Sequence, residues 1–365
     1  MYRPAPGKPI HLLLVTSSLE CGGAERQMTD MANYWSEHGL CVTLATWTGP
    51  QTADFYDTDS RIRRVYLNDE ATGRIRVNLR RVFKLRRHLI ESRPDAVLSF
   101  LTRSNVPTIL SATGLGLRVV ISERTQPARE TGLPLEWRIL RRIVYRQSAG
   151  LVCQTRATAE WIRKKWRTDA SVIPNALRPL PRSIANREAL ILGVGTLKRE
   201  KGFDLLLQAF ARISQAFPDW RVAILGEGPE RAALLRLRDE LGLGGRVEFP
   251  GRVRDVESWM ARAGLVVQPS RFEGFPNAVL ESMGMGAAVV SADCPAGPSE
   301  MIDDGVNGRL VPVEDVDALA RVMAELMAKP ELRSQLGREA VKVRERFGQE
   351  SIMARWKSLL LPCAE

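Results

Sequence analysis

Short apolar runs alternate along the chain with longer stretches whose apolar residues recur every three or four positions. The runs IHLLLVTS (10–17), CVTLATW (41–47), DAVLSF (95–100), RVVIS (118–122) and GLVCQ (150–154) predict buried strands. Between them lie helical stretches, of which AERQMTDMANYWSEHG (24–39) is closed by Gly39 at its C-terminal end. Strands that are apolar throughout, separated by helices, predict a parallel sheet covered on both faces.

The pattern breaks over IPNALRPLPRSIANRE (173–188), which carries three prolines and reads as a linker. It then restarts with ALILGVG (189–195), a helix near 202–216, RVAILG (221–226) and a helix near 229–241. RVEF, GLVVQPS, a helix after Phe275 and AAVVSA follow, then helical pattern over 315–328, about 331–345 and 349–361. This predicts an α/β chain of two doubly wound, Rossmann-like domains facing across a cleft. The expected boundaries are 1–178 for the first domain, 179–188 for the linker and 189–345 for the second. Residues 346–365 are expected to form a C-terminal helix that packs back on the first domain.

Composition adds an asymmetry. The 365 residues carry a net charge of +11. Residues 1–180 hold 28 Lys+Arg against 16 Asp+Glu (28 − 16 = +12), and residues 181–365 hold 25 against 26 (−1). A basic first half joined to a neutral second suggests an anionic partner for the first. No apolar run approaches the roughly 20 residues that cross a bilayer, and no signal-peptide pattern precedes the first strand, so a cytoplasmic location is expected. The five cysteines show no paired spacing and there are three histidines, which argues against a zinc site or a disulfide framework.

The stretch RFEGFPNAVLESMGMG (271–286) carries an E-x7-E pattern, Glu273 and Glu281. Pro276 suits the first position of a helix running to the glycines. Glu273 then precedes the helix and Glu281 lies inside it, with the helix N-terminus between them able to hold an anion. Carboxylates bind sugar and ribose hydroxyls, and helix ends bind phosphate, so the set suits a nucleotide sugar. Read alone, the two glutamates are equally a loop charge and an exposed helix residue. Lys198, Arg199 and Lys201 follow the glycine-ended strand ILGVG, at the sheet end where such folds bind ligands, and a lysine there neutralises phosphate. Gly22-Gly23 before the first helix allow close backbone approach to a bound group.

Taken together, GGAER (22–26), GTLKREKGFDLLLQAF (195–210), ILGEGPER (224–231), 249–286 and GPSEMIDDGVNGRLVP (297–312) resemble the retaining glycosyltransferases of family 4, which have the GT-B fold. The resemblance implies a hexosyltransferase that uses a UDP-sugar without a metal or other cofactor. It implies that Glu281 holds the ribose and that Glu273 lies against the donor sugar. The backbone of Gly274, Phe275, Pro276 and Asn277 would lie near the sugar and the diphosphate, Lys201 would contact the diphosphate, and Gly22 and Gly23 would pack against the donor. Two departures stand out. An arginine common in the family after the strand has no counterpart, since Thr196 follows Gly195, which leaves the diphosphate to Lys201 with Lys198 or Arg199. A histidine common after the strand equivalent to RVVIS is replaced by the region of Glu123 and Arg124. The stretch SERTQP is similar to members that extend lipid-linked oligosaccharides with an N-acetylhexosamine or hexose. Glu273, Lys201 and Glu123 are the expected catalytic residues. The expected reaction is transfer to a saccharide or polyprenyl-diphosphate-linked acceptor, with domain closure over the donor.

Asp57-Thr58-Asp59 and Asp315-Val316-Asp317 match the D-x-D by which another glycosyltransferase fold binds a metal; such three-residue matches are common, and no metal is expected. The basic stretch 73–92 sets Ile75, Leu79, Val82, Phe83 and Ile90 at near-helical spacing as a sheet-packing face, with arginines and lysine around them. EWRILRRIVYRQ and EWIRKKWR add tryptophans and further positive charge. Basic helices with aromatic residues bind anionic membranes, each basic residue near the surface contributing about 1 kcal/mol. A peripheral contact with the inner face of a membrane through the first domain is therefore expected. The other readings are a GT-B epimerase or disaccharide synthase and, from another class, a basic nucleic-acid-binding protein. No RNA- or DNA-binding module supports the last, and no nucleic-acid partner is expected.

Overall fold

The structure is a computed structural model that describes residues 8–68, 74–125, 127, 132–180, 187–295 and 297–362, and their side chains except those of 74–78. The chain forms two units, one of Met1–Ala176 with Glu350–Glu365 and one of Leu177–Gln349. The chain thus changes unit at 176/177 and 349/350, where proline content and helical pattern had suggested 178 and 345. Residues 173–180 are no free linker, since Ile173, Asn175 and Leu177 are buried; of the expected linker, 181–186 lie outside the described residues.

In the first unit the chain runs β1 (His11–Thr16), α1 (Gly23–Glu37), β2 (Cys41–Thr46), β3 (Arg63–Tyr66), α2 (Arg74–Ser92), β4 (Ala96–Phe100) and α3 (Thr102–Ala112). It continues with β5 (Val119–Ser122), α4 (Leu135–Val144), β6 (Gly150–Cys153), α5 (Arg156–Trp166) and β7 (Ser171–Val172). The strands form one sheet in the order β3-β2-β1-β4-β5-β6-β7, and each pairing is parallel. Leu12, Leu14, Val42, Leu44 and Leu98 pack on one side against Met28, Met31 and Trp35 of α1. Leu13, Val15, Val97 and Ile121 pack on the other, against α2, α3 and α5. Both faces being covered explains why these strands are apolar throughout.

The second unit runs β8 (Glu188–Val194), α6 (Phe203–Ile213), β9 (Arg221–Leu225), α7 (Arg231–Glu240), β10 (Val247–Gly251), α8 (Val256–Arg262), β11 (Ala263–Gln268) and α9 (Asn277–Gly284). Then come β12 (Val289–Ala292), β13 (Arg309–Val311), α10 (Val316–Ala328), α11 (Pro330–Ala340) and α12 (Val343–Phe347). Its sheet, also parallel, has the order β10-β9-β8-β11-β12-β13. The last helix, α13 (Gln349–Leu360), places Ile352, Met353, Trp356 and Leu360 in the core of the first unit, where Trp356 meets Phe100.

The structure differs from the sequence pattern in four places. The helix expected over about 331–345 is two, α11 and α12. The turn at Val341–Lys342 lets Arg344 donate to the Gly284 carbonyl and Phe347 enter the core. Pro276 is the N-cap of α9 and not its first helical residue, because its ψ of 82° is not helical. The strands β3, β7 and β13 have no apolar run of their own. On α2, Leu85 and Leu89 face the sheet, whereas Leu79, Phe83 and Ile90 are exposed. Leu79, Phe83 and Ile90, expected to pack on the sheet, therefore lie on the outside, and Val82 is half-buried. The side chains of Arg74, Ile75 and Arg76 are not among those described.

Candidate active site

In the second sheet β8 lies between β9 and β11, so the chain reverses its direction of travel across the sheet there. The loops leaving β8 and β11 diverge at that point and leave a crevice at the carboxyl ends of the strands. The β8 loop ends in a 3-10 turn, Arg199–Lys201, closed by Gly202 at φ 69°. A Cβ on Gly202 would sit 2.1 Å from the Pro269 carbonyl oxygen, so only glycine allows this approach. The approach brings Lys201 against the β11 loop. Its Nζ donates to both oxygens of Glu273, at 2.7 and 2.8 Å.

Glu273 is 5% exposed. It also accepts from Ser270 Oγ at 2.7 Å and Gln268 Nε2 at 3.3 Å, so its charge is met by one cation and two neutral donors. The Lys201 side chain stays 26% exposed. The lysine side chain thus stays partly open to solvent while the carboxylate it holds is buried. Arg271, two residues before Glu273, ties the two loops together. Its guanidinium donates to the Arg199 carbonyl, to both oxygens of Asp204 at 2.7 and 2.6 Å, and to Glu314 at 2.7 Å. Its backbone N–H donates to the Glu200 carbonyl. The bonds to Asp204 and Glu314 raise its pKa further, fixing the positive charge.

The start of α9 follows directly. Pro276 at the N-cap has no side-chain oxygen to cap the helix, and among the described residues no side-chain cap is made. The helix start keeps its affinity for an anion. Phe275 is buried in the core beside Phe347, which anchors the turn from Glu273 into the helix. Gly274 and Asn277 are partly exposed, and so is Glu281 in the second turn of α9. Thr196, Lys198 and Arg199 are exposed on the β8 loop. A cavity of about 250 Å3 opens beside that loop, lined in part by Lys198, Arg199, Asp204, Glu230 and Arg271; its lining includes neither Lys201 nor Glu273. Burial and the neighbouring Glu273 push the Cys294 thiol up to about 12, so it stays neutral beside the pair.

The other expected residues lie in the first unit. Gly22 is the N-cap of α1 and Gly23 its first residue, after β1; the Tyr56 hydroxyl donates to the Gly22 carbonyl at 3.3 Å. Glu123 follows β5 and is 1% exposed. Its carboxylate accepts from Thr102 Oγ1 at 2.8 Å and from the Tyr145 hydroxyl, and Arg141 Nη1 lies 3.7 Å away. Arg141 donates to Thr102 at 2.9 Å and stacks over Trp166. Burial first, and then Glu123, push the Tyr145 phenol well above its usual range. The adjacent Arg124 is buried against the Phe100 ring and bonds Asn175; burial pulls its pKa down to about 9.

Lys201, Glu273, the β8 loop and the start of α9 are thus brought together within one unit, as a single cluster. Arg271, Ser270 and Gln268 belong to it and were not singled out from sequence, although two polar residues at the end of an apolar strand are themselves a signal. Of the D-x-D matches, Asp59 is held by Arg61, Asp315 caps α10, and Asp317 bonds Arg212. Among the described residues no three His, Cys, Asp or Glu side chains gather as metal ligands would.

Residues 21–179 match the family model of glycosyltransferase family 4, and residues 181–343 that of the glycosyl transferases group 1. The chain is similar to an uncharacterised glycosyltransferase of Haemophilus influenzae (25% identity, covering 93% of this chain and 96% of that one). It is 26% identical to the lipopolysaccharide core biosynthesis glycosyltransferase LpsE of Rhizobium meliloti, over 93% and 96% of the two chains. It is also 26% identical, over 95% and 97%, to a Campylobacter jejuni α-1,4-N-acetyl-D-galactosaminyltransferase acting on a diphospho-undecaprenol-linked saccharide. In fold it is similar to sucrose-phosphate synthase of Thermosynechococcus elongatus (TM-score 0.83, 17% identity, 96% and 98% covered). It is likewise similar to the Anabaena protein HepE in complex with UDP (TM-score 0.81, 18% identity, 96% and 99% covered). With both halves matched and both sheets doubly wound, this chain belongs to the family 4 glycosyltransferases and has their GT-B fold.

Proposed function

We propose that the protein moves a hexose or N-acetylhexosamine from a UDP-sugar to a hydroxyl of a saccharide or polyprenyl-diphosphate-linked acceptor, with retention at the anomeric carbon, in glycan or polysaccharide assembly. The observation that carries this reading is the Lys201–Glu273 pair beside the uncapped start of α9, at the crevice of the second sheet. The proposal assigns the diphosphate to Lys201, to the α9 N-terminus with the backbone of 274–277, and to Lys198, Arg199 and Thr196 around it. Glu281 takes the ribose hydroxyls. Glu273 sits by the sugar and, paired with Lys201, keeps that ammonium aimed as negative charge builds on the leaving diphosphate. Bond breaking to the diphosphate and attack of the acceptor hydroxyl occur on the same face. The hydroxyl proton passes to the leaving diphosphate oxygen, which balances the step without a protein base or a metal.

Gly22 and Gly23 are assigned to the donor in this reading, and Glu123, expected to be catalytic, is sealed at 1% exposure and serves the first unit instead. Gly22 and Gly23 offer backbone without side-chain bulk. Glu123, enclosed by Thr102, Tyr145 and Arg141, holds the end of β5 in place. The relatives named for lipopolysaccharide core and undecaprenol-linked synthesis support an acceptor at a membrane, and hence a peripheral place on its inner face. The test is incubation with a panel of nucleotide sugars and with saccharide or undecaprenyl-diphosphate-linked acceptors, read by mass spectrometry and by NMR of the new linkage. An α-linked product from a UDP-sugar is expected. An inverted linkage overturns retention, and failure to consume any nucleotide sugar overturns the reading.

A further inference from the structure

Helix α4 carries apolar residues on two sides. Arg141, in its last turn, is 3% exposed and buried against Thr102, Glu123 and Trp166. Leu135, Ile139 and Ile143, spaced four apart along one face, are 69%, 54% and 59% exposed. Leu140 is exposed beside them. Val144 is buried and Trp137 packs on the core, so the inner face is apolar apart from Arg141, and a second, aliphatic stripe is left on the outside, where a surface helix is usually polar. The buried ion pair keeps the helix in this orientation, since rolling it to bury the aliphatics would strip Glu123 of its cation.

The stripe has company. α3 packs against both α2 and α4, so these two helices flank it on the same side of the sheet. On α2, Leu79 and Phe83 are exposed as well. Exposed basic residues are interleaved with these apolar ones: Arg138, Arg142 and Arg146 at α4, and Arg80, Lys84 and Arg87 on α2. Large apolar side chains grouped on one face mark an interaction surface. The charge selects the partner. A second copy seated on this face would bring the same arginines against each other, since a two-fold interface pairs a patch with itself. A layer of anionic headgroups over acyl chains satisfies both features: arginines at the headgroups, aliphatics below them.

We infer that α4, supported by the outer face of α2, is the element by which the first unit docks on an anionic lipid surface, with Leu135, Ile139 and Ile143 entering the acyl boundary. This rests on the proposed membrane location and gives it a place. It asks nothing of the donor loops, so vesicle binding and sugar transfer fail separately. It also differs from attraction by positive charge alone, which needs no apolar contact.

The experiment is flotation of the full chain with vesicles of phosphatidylcholine alone or with 30% phosphatidylglycerol, alongside sedimentation velocity without lipid. The wild type is expected to float with the anionic vesicles only. Leu135→Ser/Ile139→Ser/Ile143→Ser is expected to bind them at least tenfold more weakly with an unchanged unfolding midpoint. Val306→Ser, at an exposed apolar site in the second unit, is expected to bind as the wild type does. Arg138→Gln/Arg142→Gln/Arg146→Gln is expected to weaken binding comparably. Loss with the arginine variant but not with the serine variant overturns insertion. A lipid-free dimer that the serine variant abolishes overturns the lipid partner in favour of a second copy. Unchanged flotation of both variants overturns the assignment to α4.

Discussion

Among the described residues, two buried carboxylates, Glu273 and Glu123, each face a cation, and they differ in what can reach them. Glu273 in the second unit is held by Lys201, whose side chain is a quarter exposed; Glu123 in the first is held with Arg141, whose side chain is sealed at 4%. The pairs share a chemistry and not an access. An ammonium with one side in solvent can hold a carboxylate and a diphosphate together. A guanidinium enclosed by Thr102, Trp166 and Glu123 is shut off from solvent. The contrast teaches that an acid and a base in contact mark a reaction site only when one of them remains reachable, and that a sealed pair acts as a strut.

The largest effect expected from breaking this contrast is on stability. Arg141→Ala leaves Glu123 buried without its cation and should destabilise the first unit by about 3–5 kcal/mol, read from urea unfolding. A loss under about 1 kcal/mol would show that the pair is not sealed. Next is chemistry: Glu273→Gln should lower kcat by ~10²-fold, as loss of one interaction made in the transition state does. Steady-state kinetics with the donor varied, on protein whose circular dichroism matches the wild type, check this; full kcat would remove Glu273 from the reaction. Arg271→Lys keeps a charge but not the bidentate grip on Asp204, and so loosens the loop that carries Lys201. Its expected effect is roughly tenfold on kcat with the unfolding midpoint nearly unchanged. An equal loss in stability and none in kcat would make Arg271 purely structural. The smallest effect is expected at Glu281, whose proposed ribose contact would be the same in ground and transition states. Glu281→Gln should raise KM a few-fold and leave kcat, and a fall in kcat like that of Glu273→Gln would end the division between the two glutamates.

Much of this was legible in the chain. Strands such as His11–Thr16 and Ala263–Gln268 are apolar throughout because both faces of their sheets are covered, and that pattern announces a doubly wound fold. The lysine loop and the first glutamate of the E-x7-E pattern meet, as Lys201 on Glu273 before α9, and strand ends and helix starts are themselves readable. The partners were not. Arg271 grips Asp204 and Glu314, and Glu123 meets Arg141 and Tyr145, all distant in sequence, so no local spacing could reveal either cluster. Short strands such as Arg63–Tyr66 carry too few apolar residues to show a period. On α2 the pattern misled, because it reports that a helix has an apolar stripe and not which way the stripe faces. There a competing pair of leucines, Leu85 and Leu89, settled the orientation.

The account turns on Lys201 being the reachable cation. Isothermal calorimetry of UDP binding to the wild type, Lys201→Ala and Glu123→Gln tests it most directly. Lys201→Ala is expected to bind UDP at least tenfold more weakly, having lost a charge-assisted bond of about 1.5–3 kcal/mol, while Glu123→Gln binds within twofold of the wild type. Unchanged UDP affinity in Lys201→Ala would contradict the account, because the cluster at the second sheet would then not be where the diphosphate is held.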